Sequence, residues 1–162
     1  MLTRKGKYGL KALLHLAGAP AGESVSVMEI AEKNRISKKF LDGIMAELRN
    51  AGFVHSRYGR EGGFALARPA REIMVGHVVR VLDGPLSPIP CASKAYYQKC
   101  EDCEDENTCQ VRLVMLNVRN AIASILDTLS LDKMRKLGGT AAVSRLGKAA
   151  EASRPKKARA ST

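Results

Sequence analysis

A chain of 162 residues, 45% hydrophobic and 27% charged with a formal net charge of +11, has the size and mix of one globular domain plus an appended helix or tail. No apolar run approaches the ~18 residues of a membrane span, and the opening stretch is broken by Lys5, Lys7, Lys11 and His15, unlike the apolar centre of an export signal; a cytoplasmic protein is expected. Aromatic residues make up 4%, with no Trp, which weighs against a ring-stacking enzyme pocket, and no nucleotide-cradling glycine loop or nucleophile–base arrangement points to an enzyme.

Taken in chain order, Thr3 to Ala17 is predicted as a helix, with Tyr8, Ala12 and Leu16 on one face and Leu10, Leu13, Leu14 and Ala17 beside them. Ala19-Pro20-Ala21-Gly22 ends it. Ser26 stands three residues before Glu29, the spacing of a capping box, in which the hydroxyl accepts the Glu29 N–H while Glu29 reaches back. The second helix carries Val27, Ile30 and Ala31 inward and ends near Lys33-Asn34. Ser37 is the N-cap candidate of a third helix, with Phe40, Leu41, Ile44, Met45 and Leu48 at amphipathic spacing and Gly52 closing it. Two helices meeting across Asn34-Arg35-Ile36 have the form of a helix-turn-helix, whose second helix enters the major groove.

Phe53 to Arg57 and Phe64 to Ala67 are predicted strands around the loop Tyr58-Gly59-Arg60-Glu61-Gly62-Gly63. This is the hairpin "wing" that follows many helix-turn-helix units. Its glycines are expected to supply positive φ and to let the backbone approach a partner closely. Ile73 to Leu82 reads as a short helix stopped by Asp83-Gly84-Pro85. A long helix is predicted from Cys109 or Val111 to Leu129, with Val111, Met115, Val118, Ile122, Ile125 and Leu129 as a heptad seam. Leu116, Ala123 and Leu126 offer a second apolar face, so one stripe is expected against the body and the other across a dimer axis. Leu131 to Leu137 completes the helices, and Ala149 to Thr162 reads as a basic disordered tail.

The expected fold is therefore mostly α with a small β-hairpin wing: a winged helix-turn-helix plus a long dimerisation helix. Its expected parts are a DNA-binding domain over 1–83, a cysteine-rich loop over 84–110, a dimerisation helix with a short helix over 111–138, and a basic tail over 139–162.

The charge supports a DNA partner. Residues 1–82 carry 14 Lys and Arg against 7 Asp and Glu, residues 83–132 carry 4 against 8, and residues 133–162 carry 9 against 1. A basic N-terminal half suits a polyanion. Ser37, Lys38 and Lys39 lie at the start of the recognition helix, where a phosphate or a base edge is within reach. Asp42 one turn later is either an acceptor for a cytosine amino group or a solvated charge. Arg57 and Arg60 are expected on the wing, against the minor groove or its phosphates, with Tyr58 a phosphate donor or a packing residue. Arg4 and Lys5 open the first helix and are expected to touch phosphate. His15, His55 and His77 are isolated and expected to be structural or merely exposed. A surface for another protein's helix, with an incidental basic face, is the competing binding reading.

The cysteines run Cys91-x(8)-Cys100-x(2)-Cys103-x(5)-Cys109, all in one segment before the long helix. Such thiols can converge on a metal ion or cluster. Only Cys100-Glu101-Asp102-Cys103 has the C-x-x-C form of a zinc knuckle, which usually shows two such pairs. A thiol–disulfide switch without metal remains the alternative. The five carboxylates between Cys100 and Cys109 would favour a cation and push a cluster toward low potential.

Together these pieces resemble the Rrf-two (Rrf2) family of bacterial winged-helix regulators, with IscR-, NsrR- and RirA-like members. The resemblance spans roughly residues 2–137. It rests on Leu2-Thr3-Arg4-Lys5-Gly6-Lys7-Tyr8-Gly9-Leu10, on Ile30-Ala31-Glu32 with Ile36-Ser37-Lys38-Lys39-Phe40-Leu41, on the wing Gly59 to Arg68, and on Ile73 to Val79 with Leu82-Asp83-Gly84. It implies a homodimer on a double-stranded DNA operator, a regulator with repression the expected sense, and a 2Fe–2S or 4Fe–4S iron–sulfur cluster sensing iron, oxygen, nitric oxide or redox state. No membrane and no small-molecule substrate are implied. By the same resemblance Cys91, Cys103 and Cys109 are the cluster ligands and Cys100 is extra. The chain departs from the family at the fourth ligand: where relatives place a His or a partner's carboxylate, it has Arg112 and Lys7, both cationic and poor iron ligands. Cys100, or a solvent or small-molecule ligand, is expected to fill that place. Structural zinc or thiol oxidation in the same type of regulator is the alternative.

Overall fold

The computed structural model describes residues 2–20, 22–59 and 62–138. The wing residue Arg60 and the basic tail expected over 139–162 lie outside the described residues. Helix α1 (Arg4–Gly18) starts at Thr3, whose Oγ1 accepts from the backbone N–H of Lys5 at 3.1 Å and of Gly6 at 3.3 Å. Helix α2 (Val27–Asn34) starts at Ser26, whose Oγ accepts the Glu29 N–H at 3.1 Å. Only this half of the capping box forms as expected. The Glu29 carboxylate faces Lys33 at 3.4 Å and His15 at 3.8 Å, which fastens α2 to α1. The turn then uses Arg35 in the left-handed region (φ 55°), and Ile36 N–H returns to the Ala31 carbonyl at 2.9 Å. That tight turn sets the angle of α3 (Lys38–Asn50).

Helix α3 ends in a Schellman motif. Gly52, at φ 73°, donates to the Arg49 carbonyl and Phe53 to the Leu48 carbonyl, both at 2.9 Å, while buried Leu48 and Phe53 provide the accompanying apolar contact. Strands β1 (Val54–Arg57) and β2 (Gly63–Leu66) pair antiparallel, Val54 opposite Leu66 and Arg57 opposite Gly63. Val25 adds a single-residue third rung, exchanging backbone hydrogen bonds with Phe64 at 2.8 and 2.9 Å. The wing is thereby stitched to the segment leading into α2.

Helix α4 (Val75–Asp83) follows a 3-10 turn, and Pro90–Ala92 forms another. Helix α5 (Gln110–Leu126) ends three residues before the predicted Leu129. Asp127 turns to Arg80, Thr128 Oγ1 donates to the Ser124 carbonyl at 2.9 Å, and the Leu129 carbonyl accepts Val75 N–H at 2.9 Å. Residues 129–131 thus bridge to the start of α4, and helix α6 (Leu131–Lys136) returns to the body. One core joins all of this: Leu13, Ile30, Leu41, Ile44, Met45, Leu48, Ile73, Val78 and Leu131 are essentially inaccessible to solvent. Phe40, expected in that apolar row, is instead 42% exposed and meets Tyr8 edge-on, ring centroids 5.9 Å apart.

A bidentate ion pair clasps α4 to the end of α5, Arg80 Nη1 to Asp127 Oδ1 at 2.6 Å and Nη2 to Oδ2 at 2.9 Å. Gly76 makes it possible, because a Cβ there would stand 2.0 Å from Asp127 Oδ1. The Arg80 hydrogen bonds hold the Asp127 carboxyl below its ordinary value of 3.8. Such stabilisation is complete above pH 3.8 and is lost as the pH falls through the lowered native value. Both side chains are 37% exposed, so screening limits the pair to about 1 kcal/mol. Asp127→Asn is expected to cost that amount in urea unfolding at neutral pH, and the difference from the parent should shrink once the native carboxyl is protonated.

Candidate nucleic-acid interface and cysteine centre

The solvent side of α3 carries Ser37, Lys38, Lys39 and Asp42, all exposed. Ser37 holds the N-cap position with no side-chain cap hydrogen bond. Lys38 pairs with Asp42 at 2.8 Å, so the two offer a near-neutral site, whereas Lys39 projects a charge with no acidic partner among the described residues. Gly43, one turn further, faces open space: a Cβ there would meet nothing within 4 Å. On the wing, Tyr58 is 92% exposed beyond Arg57, whose Nη1 donates to the Gly22 carbonyl at 2.7 Å. That bond aims Arg57 and ties the wing to the α1–α2 connection.

The first turn of α1 is more constrained than its sequence suggests. Arg4 is exposed, but Lys5 Nζ contacts Glu47 of α3 at 3.0 Å, so much of its charge is met within the chain. The N-terminus of α1 is also held by a carboxylate from the far end of α4. Asp83 Oδ2 accepts Thr3 N–H at 2.9 Å, Oδ1 accepts Gly6 N–H at 3.0 Å, and the Thr3 hydroxyl donates to Oδ1 as well. Gly6 leaves room for that carboxylate, since a Cβ would lie 2.2 Å from Oδ2. From the sequence Asp83 reads as a helix stop only. The missed signal is electrostatic: an acid in the last turn of α4 opposes that helix's dipole, so it serves another helix's N-terminus.

The cysteine segment lies before α5. Cys91 is buried in the 3-10 turn, while Cys100, Cys103 and Cys109 are half-buried. The Cys100 and Cys103 sulfurs and an Asp102 oxygen lie within 4.8 Å of one another. Cys109 neighbours Cys103, and each thiol shifts the other's acidity, but Cys109 lies outside the group within 4.8 Å. Their acidities diverge. Hydrogen bonding to Asp102, then to Cys103, pushes the Cys100 thiol up to about 12. Contact with Cys109 raises Cys103. Cys109, the N-cap of α5, is lowered, chiefly because the Arg112 backbone N–H points at its sulfur. Cys91 is not among the groups that cluster within 4.8 Å.

Arg112 fastens the loop. Its Nε donates to the Cys91 carbonyl at 3.0 Å and its Nη1 to the Glu106 carbonyl at 3.3 Å. Glu106 also accepts from the Tyr97 hydroxyl, which raises that phenol's pKa above its ordinary value. The residue standing where a ligating His was sought is thus a brace between the two ends of the cysteine segment.

Residues 2–136 match the family described as Rrf2, iron-dependent transcriptional regulators. The chain belongs to the Rrf2 family. It is 41% identical to an rrf2-like HTH-type transcriptional regulator of Rhodobacter capsulatus over 145 residues, 88% of this chain and 97% of that one. Among solved structures it resembles CymR, the global cysteine regulator of Bacillus subtilis, with a TM-score of 0.71 and 30% identity, covering 86% of this chain and 98% of that one. It also resembles T. potens IscR, with a TM-score of 0.66 and 29% identity, covering 96% and 93%. The Rrf2 fold accounts for the wing after α3 and for the long α5 whose outer face lacks cover. Val111 is 63% exposed, Val114 54%, Val118 39% and Ile125 64%. Met115 and Ile122 of the predicted seam are half-buried instead, because Leu116, Ala123 and Leu126 turn that side of α5 toward the body. No helix among the described residues is long and apolar enough to cross a membrane.

Proposed function

We propose that this Rrf2-family transcriptional regulator binds a double-stranded DNA operator as a homodimer in the cytoplasm, acts as a repressor, and has its operator affinity set by the state of the cysteine segment. Ser37, Lys38 and Lys39 address the major groove, with Lys39 the leading charge. Arg57, Tyr58 and Arg60 address the flanking minor groove, and Arg4 a phosphate. Lys5 acts chiefly through Glu47, steadying α3 against α1. The apolar row Val111, Val114, Val118 and Ile125 is the surface for the second copy.

The cysteine segment is proposed to hold an iron–sulfur cluster through Cys91, Cys103 and Cys109, with Cys100 available as a further thiolate. The sulfurs of Cys100, Cys103 and Cys109 before α5 support this reading, because soft, closely spaced thiolates are the donor set such clusters require, while Cys91 stands apart in its 3-10 turn and is joined to α5 through the Arg112 bond to its carbonyl. When bound, a cluster of that kind supplies a redox-active, ligand-exchanging centre. The chain's own residues couple the segment to DNA: Cys109 stands at the N-cap position of α5, Arg112 fixes the Cys91 and Glu106 carbonyls to its first turn, and Asp127 at its far end is clasped to α4. Altered order in the segment therefore bears on the helix that spaces two recognition helices, and affinity shifts by the differential free energy of the two states.

The neighbouring Cys103 and Cys109 also favour a second reading, a thiol–disulfide switch driven by a peroxide: the Cys109 thiolate, lowered in pKa, attacks a peroxide oxygen, releasing hydroxide and leaving a sulfenic acid, and the Cys103 thiol then displaces water from it to close the disulfide. Oxygen-free purification separates the two. Brown protein with iron and acid-labile sulfide in equal amounts is expected, with Cys103→Ala and Cys109→Ala nearly devoid of both. Colourless, iron-free protein even after reconstitution rejects the cluster.

A further inference from the structure

Residues 99–106 carry five carboxylates against one lysine, and within them the chain turns at Glu101 and Asp102. That turn sets Cys100 and Cys103 side by side with the Asp102 carboxylate next to them: the two sulfurs and one carboxylate oxygen all lie within 4.8 Å of one another. Donors on one tetrahedral zinc stand about 3.6 to 3.8 Å apart, given bond lengths of about 2.1 Å to oxygen and about 2.3 Å to sulfur. Shifts of about 1 Å or less within one turn therefore close the three donors on an ion. Both cysteines are half-buried and Asp102 is exposed, so the donors are open to an arriving cation. Exposed Glu101, Glu104 and Asp105 add negative charge beside them. Cys91 is buried in its 3-10 turn, outside this group.

We propose that Cys100, Asp102 and Cys103 bind a borderline divalent cation of the zinc type, with water in the fourth position. The donor set selects the ion. Magnesium and calcium call for oxygen ligands throughout, while copper(I) and iron–sulfur clusters call for sulfur. Two thiolates and a carboxylate suit zinc. On binding, both thiols release their protons to solvent. The site requires Asp102, which the cluster ligands Cys91, Cys103 and Cys109 omit, and it dispenses with Cys91. It shares Cys103 with them, so cation and cluster exclude one another within a chain. A chain that holds zinc here is barred from building a cluster, which makes the same segment sensitive to a second metal. The cation site stands even where the cluster reading fails.

Cobalt(II), a coloured stand-in for zinc, titrated into reduced, chelator-stripped full-length protein without oxygen tests this. The strong visible bands of tetrahedral cobalt and thiolate-to-cobalt charge-transfer absorption are expected, saturating at a single ion per chain with a dissociation constant of about 1 µM or tighter. Zinc should bleach the bands and magnesium should not. Cys100→Ser should abolish them, and Cys91→Ala should leave them in place. Asp102→Ala should weaken binding at least about thirtyfold, whereas Glu104→Ala, which removes the same charge from a nearby exposed carboxylate, should cost no more than about threefold. Asp102 and Glu104 are both exposed, so neither change threatens the fold. Weakly absorbing octahedral cobalt, loss of the bands in Cys91→Ala, or equal constants in Asp102→Ala and Glu104→Ala would overturn the proposal. Iron and sulfide in the oxygen-free protein report on the cluster separately, so the two can fail independently.

Discussion

Asp83→Ala is expected to destabilise the protein by about 2–3 kcal/mol, the range for losing a charged acceptor that serves several donors. The carboxylate takes Thr3 N–H, Gly6 N–H and the Thr3 hydroxyl, three donors of the first turn of α1. Its removal leaves those donors to water and opens space beside Gly6. Asp83→Asn keeps one acceptor oxygen and should lose only about 1 kcal/mol. Urea unfolding followed by circular dichroism measures both. The consequence reaches function through Arg4 and Lys5, which occupy the turn that Asp83 anchors. A loss in Asp83→Ala below about 0.5 kcal/mol, the scale of ordinary surface substitutions, would show that the contact carries little weight.

Gly63→Ala is expected to cost about 1–3 kcal/mol, the usual penalty of forcing extra atoms into packed surroundings. An added Cβ would stand 2.3 Å from the Val25 carbonyl oxygen and 2.9 Å from the Ser26 nitrogen. Both are backbone atoms, and neither can yield without breaking the Val25–Phe64 rung. That rung ties the wing to the start of α2, so the variant should also weaken DNA binding more than its loss of stability alone accounts for. Gly59 has a different need, its φ of 119°. Gly59→Ala should strain only the wing tip and leave global stability nearly unchanged. Parallel melting curves of the two variants check the distinction.

These glycines show where sequence reading succeeds and where it stops. Glycines 59, 62 and 63 announce a hairpin, and the strands on either side of them pair antiparallel, with Gly63 itself the first residue of β2. Their expected service, positive φ and close approach to a partner, holds in φ for Gly59. Gly63 is needed because a third chain segment lies against it, and Val25 is 38 residues away in sequence, beyond any local pattern. The helix-turn-helix was legible because its signals are local: Ser26 three residues before Glu29, the apolar spacing of Leu41, Ile44, Met45 and Leu48, and Gly52 at the close. The end of α5 was not, since the predicted seam ran on to Leu129 while Arg80 and Val75 draw the chain out of the helix.

The cysteine segment divides in the same way. Spacing groups four thiols before a long helix; the structure brings the Cys100 and Cys103 sulfurs within 4.8 Å, sets Cys109 beside Cys103 and leaves Cys91 in a separate 3-10 turn. Which thiol ionises most readily depends on the N-terminus of α5 and on the Arg112 N–H, an arrangement that exists only once the helix has formed. Arg112 was read by what it cannot ligate. Its bonds to the Cys91 and Glu106 carbonyls are long-range geometry that residue type does not reveal.

The most direct measurement is affinity for a footprinted promoter fragment at fixed salt, comparing oxygen-free iron-loaded protein, chelator-stripped reduced protein and Cys109→Ser. A difference of at least about tenfold, a coupling of roughly 1.4 kcal/mol, is expected between loaded and stripped forms, with Cys109→Ser matching the stripped form whatever iron is offered. Equal affinity and equal sequence preference in all three would contradict control of the DNA-binding face by the cysteine segment.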